Sequence, residues 1–330
     1  MKRLACLLAA LGVLFSVFAK AEEPLKVELL GQRRLHVAPA EYSGIAYVGD
    51  NLYALVDDGI AGAGLCILSL SLDRRSGVHA FAADPGADIA RSDNEDLVYI
   101  PAQRTIFVVS EREQRIREYD LAGRATGREV TVPEELKAVR ENGGFEALAY
   151  DGAGDFLWTM TEMALPGAPE RERILQGFST RSLEASARYL YETDAPENDP
   201  AGARAHVFGV SALTALPDGR LLVLEREVYV PSGSLLKQAR QSYTLARIYL
   251  TTPAGEASVP LKKELVTEIR TGAARLANFE GMCLGAPLPD GRASLLLLAD
   301  SERGMGGLTK EYVYVLAVEG IQASSLTASW

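Results

Sequence analysis

Asn94-Glu95-Asp96-Leu97-Val98-Tyr99 is echoed downstream by Gly144-Phe145-Glu146-Ala147-Leu148-Ala149-Tyr150, and Glu95 and Glu146 stand 51 positions apart. Each stretch leads into a second apolar run that closes on another acid. Val108-Val109-Ser110-Glu111 ends the first and Thr159-Met160-Thr161-Glu162 ends the second, so Glu111 and Glu162 are again 51 apart. Acids that recur in register at such a period mark a modular architecture. Three further copies obey the rule. Ser43-Gly44-Ile45-Ala46-Tyr47 leads to Leu55-Val56-Asp57-Asp58, Ser211-Ala212-Leu213-Thr214-Ala215 to Leu222-Val223-Leu224-Glu225, and Phe279-Glu280-Gly281-Met282-Cys283 to Leu296-Leu297-Leu298-Ala299-Asp300. The units begin at 43, 95, 146, 211 and 280, and their uneven spacing reflects inserted loops.

Each half-unit reads as a strand. Glu146–Tyr150 and Asp155–Thr161 are short, apolar and aromatic, and Asp151-Gly152-Ala153-Gly154 between them is hairpin chemistry. Pro217-Asp218-Gly219 and Pro289-Asp290-Gly291 fill the same slot later. Two more strand candidates follow in each unit: Arg115–Leu121 and Arg128–Val132, then Arg173–Ser179 and Ala187–Glu192. Glu134–Glu141 is the main helical candidate. Four short strands per unit of about 50 residues is the arithmetic of a β-propeller blade. The expectation is an all-β chain forming a single closed propeller of five four-stranded blades, with six open if a long insertion hides one. The last unit offers only three strands, so Leu25–Leu30 is expected to complete it and cover its edge.

The first 21 residues read as an export signal: Lys2-Arg3, an apolar run over Leu4–Phe18, and Ala19-Lys20-Ala21 as a small-residue cleavage site. Residues 22–330 then form the propeller domain, exported and, in a Gram-negative cell, periplasmic. The repeat runs to 318 without a linker-like break. Insertions at 59–64, 164–172, 194–206, 229–241 and 301–310 read as loops on the ring. Losing Lys2, Arg3 and Lys20 takes the net charge from −10 to −13. So acidic a protein repels nucleic acid and anionic lipid, and no other segment is apolar enough to insert in a membrane. Cys66 falls on a third strand and Cys283 on an innermost one, so both are expected to be small apolar core residues without a bridge.

The hairpin dictates the chemistry. In an antiparallel pair, the start of the first strand and the end of the second share one edge. If the first strand of each blade lines the axis, Glu95, Glu146 and Glu280 ring one mouth, and Asp57, Glu111, Glu162, Glu225 and Asp300 surround it from the second strands. Asp58, Asp96 and Glu302 are near neighbours. Carboxylates so gathered repel one another unless cations intervene. A hard, all-oxygen donor set suits Ca²⁺ better than zinc. Acids at strand ends are common because those ends are wet, but solvation does not demand register. Arg112, Arg226 and Arg303 each follow one of these acids, either as salt-bridge partners between blades or as ligands for a phosphate. The three histidines, His36, His79 and His206, lack zinc-ligand spacing. Gly209-Val210-Ser211-Ala212-Leu213 lacks the second glycine of a nucleophile elbow.

Asn278-Phe279-Glu280-Gly281-Met282, its degenerate forms at 144–148 and 94–97, Ser43-Gly44-Ile45 and the Glu-Arg strand ends together resemble the exported phytase-like β-propeller family, "esterase-like activity of phytase". They also resemble the calcium-regulated β-propeller proteins within it, which are linked to bacterial calcium homeostasis. The resemblance covers nearly all of residues 22–330. It implies Ca²⁺ in an acidic mouth, and a phosphorylated small molecule or a periplasmic protein as partner. The chain departs from the phytases where Ser43 and Ser211 replace the marker glutamate. Two readings follow: a calcium-binding propeller serving calcium homeostasis or signalling, or a calcium-dependent phosphoesterase. A lactonase- or esterase-type propeller is a third.

Overall fold

A computed structural model describes residues 24–35, 41–57, 64–75, 77–84, 89, 93–139, 143–300 and 311–321. Residues 1–21, expected to be an export signal, and Asp58, Glu302 and Arg303 lie outside them. An N-terminal strand, β1 (Lys26–Arg34), precedes the first blade, β2 (Tyr42–Gly49), β3 (Leu52–Asp57), β4 (Leu65–Asp73) and β5 (Gly77–Asp84). The second blade is β6 (Asn94–Ile100), β7 (Thr105–Ser110), β8 (Arg115–Asp120) and β9 (Ala125–Glu129), followed by a one-turn helix, α1 (Glu134–Lys137). The third is β10 (Phe145–Asp151), β11 (Phe156–Thr161), β12 (Glu172–Ser179) and β13 (Ala185–Glu192). The fourth is β14 (Ala203–Ala215), β15 (Leu221–Pro231), β16 (Tyr243–Thr251) and β17 (Lys263–Gly272), with helix α2 (Leu235–Gln241) before β16. β18 (Asn278–Leu284), β19 (Ala293–Asp300) and β20 (Tyr312–Glu319) end the chain.

These strands form five antiparallel four-stranded sheets, a five-bladed propeller. In the last sheet the order is β18-β19-β20-β1, and Lys26–Arg34 pairs antiparallel along β20 from Lys26–Glu319 to Arg34–Tyr312. The hairpin slots keep their chemistry. Asp151 Oδ1 accepts the N–H groups of Ala153 and Gly154, and Gly219 and Gly291 take φ of +84° and +85°, where a side chain would be strained.

The core lies between blades. Inner and second strands are buried almost throughout because both faces of a blade meet a neighbour. β17, at the outside of the fourth blade, is largely exposed. Apolar clusters seal each junction. One joins Tyr53, Leu55 and Leu68 of the first blade to Leu296, Leu298 and Val315 of the last. Another sets Ala212, Leu222 and Leu224 against Phe279, Leu295 and Tyr314, the rings of Phe279 and Tyr314 meeting edge-on with centroids 4.9 Å apart. Each such buried side chain contributes about 1.5–3 kcal/mol. Leu136 is buried between the second and third blades, which fixes α1 as an inter-blade connection. Cys66 and Cys283 are buried thiols in the same junction, with no disulfide between them.

The inner strands are also tied laterally. Ser43 donates to the Asn94 carbonyl at 2.5 Å, Asp96 Oδ2 accepts the Leu148 N–H at 2.8 Å, and Thr214 donates to the Met282 carbonyl at 2.8 Å. Burial holds the Asp96 carboxyl well above the usual range, against its two backbone N–H donors, Leu148 and Leu97. It therefore acts as a brace between blades rather than as an open ligand.

Candidate metal centre

The repeat has one structural cause. At the same end of every inner hairpin the register skips one residue: Ser43, Glu95, Glu146, Ser211 and Glu280 each fall outside the strand register between two registered neighbours. These five residues are the repeat markers. A bulge of this kind bends the strand and re-aims one side chain, and bulges concentrate beside active sites. The acidic period in the sequence is thus a period of bulges at one end of the axis.

Register then decides which second-strand residue reaches the axis. The residues paired just before the bulges are Asp57, Ser110, Thr161, Glu225 and Ala299. The residue one step on is Glu111 in the second blade, Glu162 in the third, Arg226 in the fourth and Asp300 in the fifth. Glu225 and Glu111 are therefore not equivalent, although each is the closing acid of its repeat. Because successive side chains of a strand leave opposite faces, a slip of one residue sends Glu225 away and turns Arg226 inward.

Arg226 is buried and binds three carboxylates from two other blades: Glu280 at 2.7 Å, Glu162 at 2.8 Å and Glu146 at 3.2 Å. Burial opposes its charge. The surrounding Glu280, Glu162 and Glu146 outweigh that and hold its guanidinium protonated well above the ordinary value. Gly209 makes the approach possible: a Cβ there would lie 2.6 Å from the Glu162 carbonyl oxygen and from its Cγ. Glu111 completes the wall. Its Oε1 accepts the Gly144 N–H at 2.8 Å, while Gln114 donates to the Glu111 carbonyl and accepts the Phe145 N–H.

Two groups of three carboxylates have oxygens all within 4.8 Å of one another: Glu111 with Glu146 and Glu162, and Glu111 with Asp93 and Glu95. Glu111 belongs to both. Burial raises the Glu111 carboxyl, only partly offset by the Gly144 N–H, and burial followed by Glu162 raises Glu146 well above the glutamate range despite Arg226. Glu111 thus stands beside three carboxylates, Glu146, Glu162 and Glu280, that share one guanidinium. The Nε of Arg226 and the Oγ of Ser211 are buried with no hydrogen-bond partner among the described residues, as donors beside a water or a ligand oxygen are.

Of the eight acids read as ligands, the structure gathers Glu95, Glu111, Glu146, Glu162 and Glu280. Glu225 stands apart. Its carboxylate accepts Tyr191 O–H at 2.6 Å, Lys263 Nζ at 2.6 Å and the Asp194 N–H at 2.9 Å, at the junction of the third and fourth blades. Asp57 shares its register place, opposite Tyr42, whereas Asp300, opposite Asn278, holds the place of Glu111, Glu162 and Arg226; neither belongs to either carboxylate group. Of the arginines read as phosphate ligands, Arg226 is spent on carboxylates. Arg112 is exposed at the rim, its Nε 3.8 Å from Asp93, and Arg303 lies outside the described residues. Asp93 escaped the sequence reading. It precedes the marker pair Asn94-Glu95 and is a third acid within four residues.

A family model described as "Phytase-like: Esterase-like activity of phytase" matches residues 40–302. A search of functionally curated proteins returns no match. Among solved structures, the chain is similar to Kuenenia stuttgartiensis hydrazine synthase at 11% identity, covering 81% of this chain and 66% of that one, with a TM-score of 0.39. It thus spans about two thirds of that longer chain. A streptogramin B lyase matches at 11% identity over 91% of this chain and 100% of its own, TM-score 0.39. The Myceliophteria thermophila Cps50 (Swd1) β-propeller domain matches at 12% identity over 87% and 86%, TM-score 0.39.

Proposed function

Since this chain belongs to the phytase-like family, we propose that it is a calcium-binding β-propeller whose acidic mouth holds Ca²⁺ at the second blade. The observation that carries this reading is the sharing of Glu111 by two carboxylate groups, one of which already has its cation. Arg226 neutralises part of the inner group. Asp93 and Glu95, with Glu111, form the outer group and are the residues that would hold the ion. The donor set fits. It is all carboxylate oxygen, hard and multivalent, with no nitrogen or sulfur, and Ca²⁺ takes 6–8 such oxygens with water completing the shell.

A bound Ca²⁺ would supply charge neutralisation at the mouth and polarise a ligand oxygen there. The chain's own residues do the rest. The bulges aim Glu95 and Glu146 at the axis, the Gly144 N–H orients Glu111, and Arg226 locks Glu146, Glu162 and Glu280 into one array spanning the third, fourth and fifth blades. Coupling ion binding to such an array suits a protein that responds to calcium, by buffering it or by presenting a calcium-dependent surface to a partner. Export through residues 1–21 would place it in the periplasm, where calcium is accessible. N-terminal sequencing of the secreted form, starting at Glu22, tests that step.

The alternative is calcium-dependent hydrolysis of phosphate esters. Arg226 weighs against it: both its Nη atoms are engaged by carboxylates that neutralise its charge, and Nε alone is left without a partner, which is not a bidentate grip for a phosphate. Arg112 is then the described arginine nearest the outer group. Phosphate release from phytate and from simple phosphomonoesters, with and without Ca²⁺, separates the two readings. Release at background is the expected result. Robust calcium-dependent release that disappears in Arg112→Ala would favour the enzyme.

A further inference from the structure

The other end of the axis has the opposite chemistry. A cavity of about 320 Å³ opens there, lined by the later part of all five inner strands and by the β6–β7, β10–β11 and β14–β15 turns. No lining residue is charged. The position four after each marker carries Tyr47, Tyr99, Tyr150, Ala215 and Leu284, and all five line the cavity. Tyrosines therefore occupy three consecutive blades, and small or aliphatic residues the other two. The rings of Tyr99 and Tyr150 are half-buried, while Tyr47 is buried against Tyr53, centroids 5.0 Å apart, as a back wall.

We propose that this cavity is a binding site for a small, uncharged, ring-bearing molecule. Its volume lies at the lower end of small-molecule sites, about 300–1,000 Å³, and admits one compact ligand. The charge-free wall excludes ions, because a charged group would lose its hydration with no counter-charge to receive it. The arc of tyrosines supplies ring faces for offset or edge-on stacking and hydroxyls for one or two polar groups at the opening. The gap beside Ala215 and Leu284 is where the ligand body fits. Cys283 also lines the cavity, but burial pushes its thiol far up, so the site holds a ligand without attacking it. This site is independent of the acidic mouth, which lies at the other end of the same strands.

N-phenyl-1-naphthylamine, a neutral fluorophore that brightens in apolar surroundings, tests it by titration of the full chain. One saturable site is expected. Ala215→Tyr fills the gap with a residue that three other repeats already carry at that place, so the propeller tolerates it. It should weaken the probe about 10-fold or more. A thermal melt reports whether that variant is folded. Tyr99→Ala removes a half-buried ring and should weaken the probe about 3-fold to 10-fold, the worth of one aromatic contact. No saturable binding by the wild type, or an affinity unchanged in both variants, would overturn the proposal.

Discussion

Arg226 of β15 and Glu280 of β18 lie 54 positions apart in sequence and meet at 2.7 Å on the propeller axis. That bond, with those from Arg226 to Glu162 and Glu146, puts a protein cation inside a ring of acids. Removing one partner from a buried ionic network strands the others, which costs about 3–5 kcal/mol. Arg226→Met should therefore lower the melting temperature sharply in calcium-free buffer. The stranded glutamates then need another cation, so added Ca²⁺ should recover more stability in Arg226→Met than in the wild type, because an ion that binds only the folded state stabilises it. Melting curves of both proteins with EGTA and with CaCl₂ check this. A smaller calcium response in the variant would mean that Arg226 helps to bind the ion instead of standing in for one.

Glu225 offers the complementary case. Its partners are Tyr191, Asp194 and Lys263, so Glu225→Gln should cost stability, about 1.5–3 kcal/mol for hydrogen bonds to a charged group, and leave calcium affinity unchanged. Urea unfolding and a calcium titration of the same variant decide it. A loss of calcium affinity comparable with that of Glu111→Gln would place Glu225 back at the mouth.

A pH dependence follows from Glu227. Burial opposes its charge, but His206, the Glu197 N–H, Tyr243 and the Asn198 N–H outweigh it and hold the carboxyl below the usual glutamate range. A carboxylate lowered on folding contributes stability above its unfolded value, and that stability is lost as pH falls through the folded value. Glu227→Gln should then be less stable than the wild type near neutrality, and the difference should shrink as pH falls from the ordinary glutamate value through the lowered one. Urea unfolding at a series of pH values measures it. A difference that stays constant with pH would show that the ionised carboxylate contributes nothing.

The fold was legible because its signal is redundant. Five apolar hairpins with turn chemistry in the same slot survive the drift in loop length, and each needs only local pairing to form. The outer strands were less so. The sequence reading put the fourth strand of the second blade at Arg128–Val132, whereas it runs Ala125–Glu129, an exposed polar edge with no apolar alternation to mark it. Likewise the expected helix Glu134–Glu141 is α1, Glu134–Lys137 among the described residues. The marker residues were legible as a period, but their being bulges was not, because a skipped residue leaves no trace in a single chain.

That skipped residue limits the site reading. From Glu95 to Glu111 is 16 positions, and so is Glu146 to Glu162, yet from Ser211 the same place is reached at Arg226, after 15. Aligning by the closing acid selects Glu225, which is one residue short and on the wrong face. Only strand register separates the two, and register rests on the hairpin connection rather than on residue type. Asp93 and Asp96 show the same limit. They flank Glu95 closely, but alternation sends Asp96 into an inter-blade brace and leaves Asp93 at the rim.

Isothermal titration of the full-length chain with Ca²⁺, side by side with Glu111→Gln, tests the central claim most directly. Glu111 is shared by both carboxylate groups, so its neutralisation should weaken binding by about 10-fold or more, the scale on which metal sites respond to loss of a supporting group. The account predicts saturable binding by the wild type and that loss in the variant, with the melting transition of the variant intact. No heat of binding in the wild type, or equal affinity in Glu111→Gln, would contradict it.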